Sequence, residues 1–573
     1  MSSRRSFVRK IIYLLAIGVL LIPLHWLSHP ATNAAKGVQG NPGGKLARLR
    51  NEYHLSQAQL GEIDPTSVTI KLATLGMRGV AANILWSKAT DYKMMKDWTN
   101  FGATLNQITK VQPNFLNVWV NQAWNLSYNV SVEFDDYRER YRWVIKGFKF
   151  LNDGIKYNEG QPKLPWELGR YVSQKIGKAD EVKQFRRLFA KDSDYRESLP
   201  ADLHDTCLDY KGQPDNWLVG KGWYEKAINL VDSSDRKGTI GQSPLIYYSS
   251  APMCQMNYAE AIEKDGTFGE VAKGTWVTAA NDWSKDESSF GNKPIPTSFR
   301  QKDSDKPVMI RLNDQETEEA KAKEAIAQLD KIEPGLREKM IAEKKANLPP
   351  SQRQALDTLP EKRTGKQISL AAQAEEAIRV AHDEVARKIS DPKRKDDAKR
   401  FAREAIEHQQ LASQISSSRG IVNFVYWRRL AASEQEDSVL DARQLIKKGD
   451  RAFANGDLPA AGENYRLGLK AWRKVLDAHP EYVAEQTSCE DLVDMIKRYR
   501  YILSRREESL PEPFILQDVI DSYQRQTGES PLPITTKTDG KKQESKPQVK
   551  KADAKKPEIK KIGVEKTKKQ GGP

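Results

Sequence analysis

Along most of the chain apolar residues recur at three- and four-residue steps, the period of a helix that buries one face. Between Leu85 and Phe189 the pattern also repeats. Pro113 is followed by Trp119, Asn121 and then the small residue Ala123. A step of about 34 residues back from Ala123, the length of one helix-pair repeat, lands on Ala89, with Tyr92 three residues beyond. The proline stops one helix, the small residue lets two helices approach closely, and the large aromatics fill the space between pairs.

The same reading divides the rest of the chain. Residues 135–157 continue as a helix, and LGRYVSQKIGKADEVKQF resumes the repeat after a longer than usual interval. From Pro200 to Phe299 periodicity is poor, and short helices between loops are expected. Residues 306–417 are charged and alanine-rich, with thin stripes such as Leu370, Ala374, Ile378, Ala381, Val385 and Ile389 broken by prolines, which favours short solvated helices over one long coiled coil. The segment DARQLIKKGDRAFANGDLPAAGENYRLGLKAWRKVLDAHPEY is the clearest helix pair: Gly449 permits close approach, Asn455-Gly456-Asp457 turns the chain, Ala461 is the small contact, and Tyr465 packs from the second helix.

These residues resemble the tetratricopeptide (TPR) repeat, in which a proline closes one helix pair and a W-x-N-x-[G/A] run opens the next. The resemblance implies an all-α fold of irregular TPR-like helix-pair repeats, with a charged helical insertion. The run GVAANILW…VQPNF…VWVNQAWNLSYNVSVEFDDYRERYRWV is also similar to a group of membrane-anchored planctomycete proteins. Some of those carry a label referring to an iron-responsive element, an RNA structure; no residue pattern here supports iron or RNA chemistry.

Charge and the N-terminus change the picture at the two ends only. The net charge of +15 would point to nucleic acid if it were spread over the body. Thirteen lysines against five acids between Lys537 and Lys569, with Arg4, Arg5, Arg9 and Lys10, supply most of it. The body is nearly neutral, so no specific nucleic acid is expected. RRSFVRK precedes the uncharged run Ile11 to Leu27, which fits a single transmembrane helix with Trp26 at an interface, and equally a signal peptide cut before Ala35. In either case the bulk of the chain lies on the exported side, tethered to the cell membrane or secreted after cleavage. The expected organisation is 1–35 anchor or signal peptide, 36–75 tether and lead-in, 76–232 helical repeats, 233–305 irregular loop-rich segment, 306–417 charged helical insertion, 418–530 C-terminal TPR-like unit, and 531–573 disordered lysine-rich tail.

Candidate chemistry is sparse. Asn117, Asn121, Asn125 and Asn129 recur every four residues, and their amides, able to donate and accept, suit the backbone of an extended peptide. The same asparagines also fit a purely structural role of local bonds and caps. In an exported body Cys207 and Cys254 are the expected disulfide pair, since Cys489 lies in a distant segment. His204 and Cys207 have metal-plausible spacing but no companions, and no haem, phosphate-loop, nucleophile-elbow or zinc-protease motif occurs, so neither cofactor nor catalytic residue is expected. Asp135-Asp136 and Glu507-Glu508 sit in charged surroundings and read as solvated. The expected function is a membrane-tethered scaffold that binds another envelope protein. The rivals are an envelope enzyme with its site in residues 200–300, and an anionic-polymer or nucleic-acid binder acting through the lysine tail.

Overall fold

In the computed structural model, residues 78–233, 243–300 and 307–531 are described, with a few isolated positions before them. The apolar run Ile11 to Leu27, the tether and almost all of the lysine-rich tail lie outside the described residues. Among the described residues the protein is all-α apart from one two-stranded antiparallel hairpin, β1 (Ile295–Arg300) and β2 (Pro307–Ile310), and one isolated bridge. No helix among them is long and apolar enough to cross a membrane.

The N-terminal block is built from antiparallel helix pairs. Helix α1 (Arg78–Met94) buries Ala81, Ala82, Leu85 and Ala89 on one face against Phe101, Leu105 and Ile108 of α2 (Trp98–Val111). Asp97 turns the pair by accepting the Asn100 backbone N–H at 3.1 Å, satisfying a donor that the first helical turn leaves open. After Pro113 comes α3 (Leu116–Trp124), which runs into a π-helical turn over Asn125–Val130. Helix α4 (Tyr137–Tyr157), capped by Asp136, returns across it.

At that crossing Gly147 allows the approach. A Cβ there would stand 2.2 Å from Ser127 Oγ and 2.7 Å from the backbone oxygen of Ala123. The serine can rotate; the carbonyl cannot. Gly147→Ala gains up to about 1 kcal/mol of helix propensity against roughly 1–3 kcal/mol of overpacking, so a net loss is expected. Adding Ser127→Ala should recover only part of it, because the Ala123 carbonyl remains, and urea melts of the single and double variants check this.

The next crossing uses the same device. Gly169, Ser173 and Gly177 lie at four-residue spacing on α5 (Lys163–Gly177), facing Gly220 and Trp217 of α7 (Asn216–Ser233). A Cβ on Gly169 would be 2.9 Å from the Gly220 carbonyl oxygen. Helix α6 (Val182–Phe189) lies between them in sequence and buries Phe185 and Phe189 in the core that includes Trp119, Phe148 and Trp223.

Residues 233–305, where short helices between loops are expected, hold two helices, α8 (Pro244–Lys264), which is 21 residues long, and α9 (Glu270–Ala280). Burial explains the poor periodicity. Leu245, Tyr247, Ala251, Cys254, Met256, Tyr258, Ala259 and Ile262 of α8 are all enclosed, and a helix covered around most of its circumference has no polar face to set a period.

The charged insertion is helical: α10 (Gln315–Ile332), α11 (Leu336–Ala346), α12 (Pro350–Asp357), α13 (Gly365–Ile378) and α14 (His382–Lys388) are followed by α15 (Lys395–Ile421), which at 27 residues is longer than the short helices expected. Helices α10 and α15 pack through alanines, among them Ala322, Ala325, Ala398 and Ala402, beside a small core containing Leu329, Met340, Val385 and Ile389. Arg419 fixes the root of the insertion: its Nε donates to the Leu312 carbonyl at 2.6 Å and its two Nη atoms to Glu316 at 2.8 and 2.9 Å.

Helix α16 (Phe424–Glu434) leads back to the C-terminal unit, α17 (Asp437–Ala454), α18 (Leu458–Ala478), α19 (Gln486–Arg505) and α20 (Gln517–Thr527). Here local chemistry and structure agree residue by residue. Gly456 takes φ +81°, a backbone state that favours glycine. Asp457 caps α18 through the Ala460 N–H at 3.0 Å. Tyr465 lies against Gly449, where a Cβ would meet its ring at 2.5 Å.

Candidate binding site

Where the C-terminal unit meets α8 and α9, a cavity of about 430 Å³ opens between the two. Its floor is made by Glu263 of α8, Trp276 of α9, Glu434 of α16, Arg443 of α17, Trp472 of α18 and Tyr482. Glu434 is the last residue of its helix and Glu263 lies one residue before the end of its own. The carbonyls at a helix C-terminus carry partial negative charge, so a carboxylate there is disfavoured unless a cation accompanies it.

One cation serves both. Arg443 Nε donates to Glu434 Oε2 at 2.5 Å, and Nη2 donates to Oε1. The Tyr482 hydroxyl donates to Glu434 Oε1 at 3.2 Å and contacts Ser433 Oγ at 2.7 Å. Glu434 is 0 % exposed, and its oxygens are fully engaged. Arg443 then has little left for Glu263, whose Oε2 stands 3.9 Å from Nε. The single strong bond to Glu263 is Trp276 Nε1 donating to Oε1 at 2.6 Å.

The electrostatics follow from this imbalance. Glu263 is 7 % exposed, and burial pushes its carboxyl up to about 7, with Arg443 partly opposing and Glu434 adding to the rise. Its folded value lies above the unfolded one, so Glu263 takes up a proton on folding. The stability this proton brings is full below the unfolded value of about 4.5 and is lost as pH rises through 7. Burial also disfavours charge on Arg443, but Glu434 outweighs it and raises the guanidinium further. The walls are aromatic. The Arg443 guanidinium lies 5.4 Å from the Trp472 ring centroid, while Trp472 keeps a buried indole N–H without an acceptor.

The asparagine stripe is divided between surface and interior. Asn117 is exposed, and its Oδ1 accepts from Lys163 Nζ at 2.7 Å. Asn121 donates to the Asn117 carbonyl at 2.8 Å, a local bond of the kind weighed as the structural alternative. Asn125 is 0 % exposed at the start of the π turn, and Asn129 donates to its Oδ1 at 3.0 Å. Asn125 donates to Gln122 Oε1 at 3.5 Å, and Gln122 in turn donates to the Gly102 carbonyl of α2, while Ser127 donates to the Val144 carbonyl of α4, so both are turned into the packed interior.

Cys207 and Cys254 are free buried thiols, as is Cys489. Cys207 packs beside Gly222 and Cys254 beside Gly220, two positions that point to nearly opposite sides of α7. The helix therefore separates the sulfurs, and the expected disulfide is not made. His204 Nε2 bonds the Leu199 carbonyl oxygen at 2.9 Å, and among the described residues no group of three or more His, Cys, Asp or Glu is placed to hold a metal ion.

Sequence reading missed Glu263, Glu434, Arg443 and Trp472 because they come from four helices, three of them successive and the one carrying Glu263 far away along the chain. The weak signal was available within each helix: a glutamate at a helix end is out of place electrostatically. No protein-family model matches this chain, and no curated protein is found to be similar to it.

Proposed function

We propose that this chain is a membrane-tethered, exported scaffold of TPR-like helix pairs that holds another envelope protein. The observation that carries the reading is the seam itself: stacked pairs, brought close by Gly147, Gly169 and Gly449, end against a C-terminal unit and leave an aromatic-walled cavity between them. Stacked helix pairs offer extended concave surfaces of this kind, and ligands favour the clefts between units. The basic cluster and apolar run at the N-terminus supply the tether.

A photoreactive side chain at Thr487, an exposed residue on the cavity rim, tests this in the full-length protein in its native membrane. Covalent adducts with a discrete partner are expected from Thr487 and none from Ile368, which is exposed on the insertion. The adducts should remain in the membrane pellet after alkaline carbonate washing. Adducts of equal yield at both positions, or a chain released into the soluble fraction, would overturn the scaffold or the tether respectively.

A further inference from the structure

Where α1 ends and turns into α2, the chain presents the two most exposed large apolar side chains among the described residues, Met94 at 80 % and Met95 at 71 %. An ordered backbone holds them outward. Met95 N–H donates to the Asp91 carbonyl at 3.1 Å, Lys96 N–H to the Lys93 carbonyl at 3.2 Å and Asp97 N–H to the Tyr92 carbonyl at 2.9 Å, which closes the end of α1. The residue that ends a helix with this pair of bonds takes the left-handed state and is usually glycine. Here it is Lys96, at φ +58°, so a cation stands where the backbone would favour no side chain at all.

Charge is arranged around the methionines to match. Lys93 and Lys96, both exposed, bracket them, and Lys88 lies farther back on α1 with its Nζ 5.7 Å from the Tyr92 ring centroid. Of the two acids nearby, Asp97 is turned back on α2, accepting the Asn100 N–H at 3.1 Å and Asn100 Nδ2 at 2.7 Å, and Asp91 lies one turn before Met95. Trp98, half-buried, opens α2. Flexible apolar side chains, flanking ammonium groups and an adjoining indole suit the boundary between water and lipid: the thioethers enter among acyl chains, the lysines meet phosphates, and the indole lies at headgroup level.

We propose that the turn between α1 and α2 is a second membrane contact, with Met94 and Met95 in an anionic lipid surface and Lys93 and Lys96 on its phosphates. This rests on the tether in the reading above, which brings the first helix pair to that surface. Fifty residues, 28–77, separate the apolar run from α1. At up to about 3.3–3.6 Å per residue of extended chain, the tether leaves the pair free to reach the lipid. A stable protein interface buries about 800 Å² on each partner, far more than one turn presents, and side chains this exposed are enclosed best by a medium that deforms around them.

The test places the full-length chain in vesicles of phosphatidylcholine and phosphatidylglycerol, three parts to one, with an environment-sensitive NBD label on Met95→Cys. Ile368→Cys, exposed on α13, is the comparison, and the unsubstituted chain, whose three thiols are buried, gives the labelling background. The label at 95 is expected to emit at shorter wavelength than in buffer and to be quenched at least about twofold by shallow nitroxide lipids, because apolar groups bound at a membrane surface lie roughly 5–10 Å into the headgroup and acyl boundary. The label at 368 should do neither. Lys93→Glu with Lys96→Glu, or high salt on the unsubstituted lysines, should reduce the quenching at 95, since attraction to anionic headgroups is screened by salt.

Alkaline carbonate washing and flotation of the same vesicles report the tether separately. A chain washed off, yet quenched at 95 beforehand, would overturn the tether and leave the contact. A retained chain in which 95 behaves like 368 would overturn the contact and leave the tether. Equal quenching in phosphatidylcholine alone would overturn the assignment to anionic lipid, and a blue shift that needs no vesicles and grows with chain concentration would make the occupant a second copy of the chain. High salt gives the charge readout without the lysine variant, and Met94→Cys gives a second labelling site, so a variant that fails to fold leaves the test intact.

Discussion

Glu434→Ala is expected to lower the stability of the C-terminal unit by about 2–4 kcal/mol. Breaking a buried ion pair by removing one partner costs roughly 3–5 kcal/mol, because the other charge is left desolvated and alone. The lower figure applies here for two reasons: the Arg443 side chain is 28 % exposed, toward the cavity, and Glu263 at 3.9 Å can take over part of the pairing. Removing both charges together behaves differently. Glu434→Met with Arg443→Met fills the space, Tyr482 keeps its bond to Ser433, and Glu263, which loses its cation, is held neutral by burial below pH 7, so at acidic pH the double variant should lie within about 1 kcal/mol of the native chain. Urea denaturation of the single and double variants, followed by tryptophan fluorescence, measures both. A single variant no worse than a surface substitution, or a double variant worse than the single, would show that the pair does not hold this floor together.

The contrast between this ion pair and the acids conspicuous in the sequence explains what could be read and what could not. Asp135-Asp136 and Glu507-Glu508 catch the eye because they are adjacent, but neighbours along a helix or turn point in different directions, and all four are exposed. Glu263 and Glu434 act together only because α8 and α16 end beside each other, a tertiary fact with no local trace. The C-terminal helix pair was legible for the opposite reason. Gly449, Asn455-Gly456-Asp457, Ala461 and Tyr465 all work within one hairpin, so spacing alone places them. Helix α8 defeated the period, since nearly every side along it is covered. The asparagines show how a four-residue recurrence differs from a face: it drifts about 40° per step around a 3.6-residue helix, so a stripe that is exposed at Asn117 is buried by Asn125. The disulfide expectation rested on compartment and elimination, and neither contains the position of α7 between the two sulfurs.

Trp119 is where local pattern and tertiary packing coincide, and its removal should produce a loss of similar or greater size. The indole is almost fully buried, donates to the Pro113 carbonyl at 2.7 Å, and lies near Phe150 and Tyr157 with ring centroids at 4.9 and 5.8 Å. The ring covers Gly154 of α4, where a Cβ would stand 2.7 Å from Cδ2. Trp119→Ala is expected to cost about 3–5 kcal/mol, the lost transfer energy plus the cavity left behind. The carbonyl of Pro113 adds little to that sum, because Asn158 Nδ2 also donates to it at 3.0 Å. Gly154→Leu in the native background should be comparably disruptive, since the new side chain occupies the volume of the indole. Combined, the two changes answer each other: the leucine fills the space the tryptophan vacates. The double variant should therefore be more stable than the sum of the singles predicts by at least about 1–2 kcal/mol, the size of coupling expected for residues that share one cavity. Strictly additive losses in the thermodynamic cycle would mean that the ring and Gly154 are not in contact, and that the helix pair opened by Trp119 is packed in some other way.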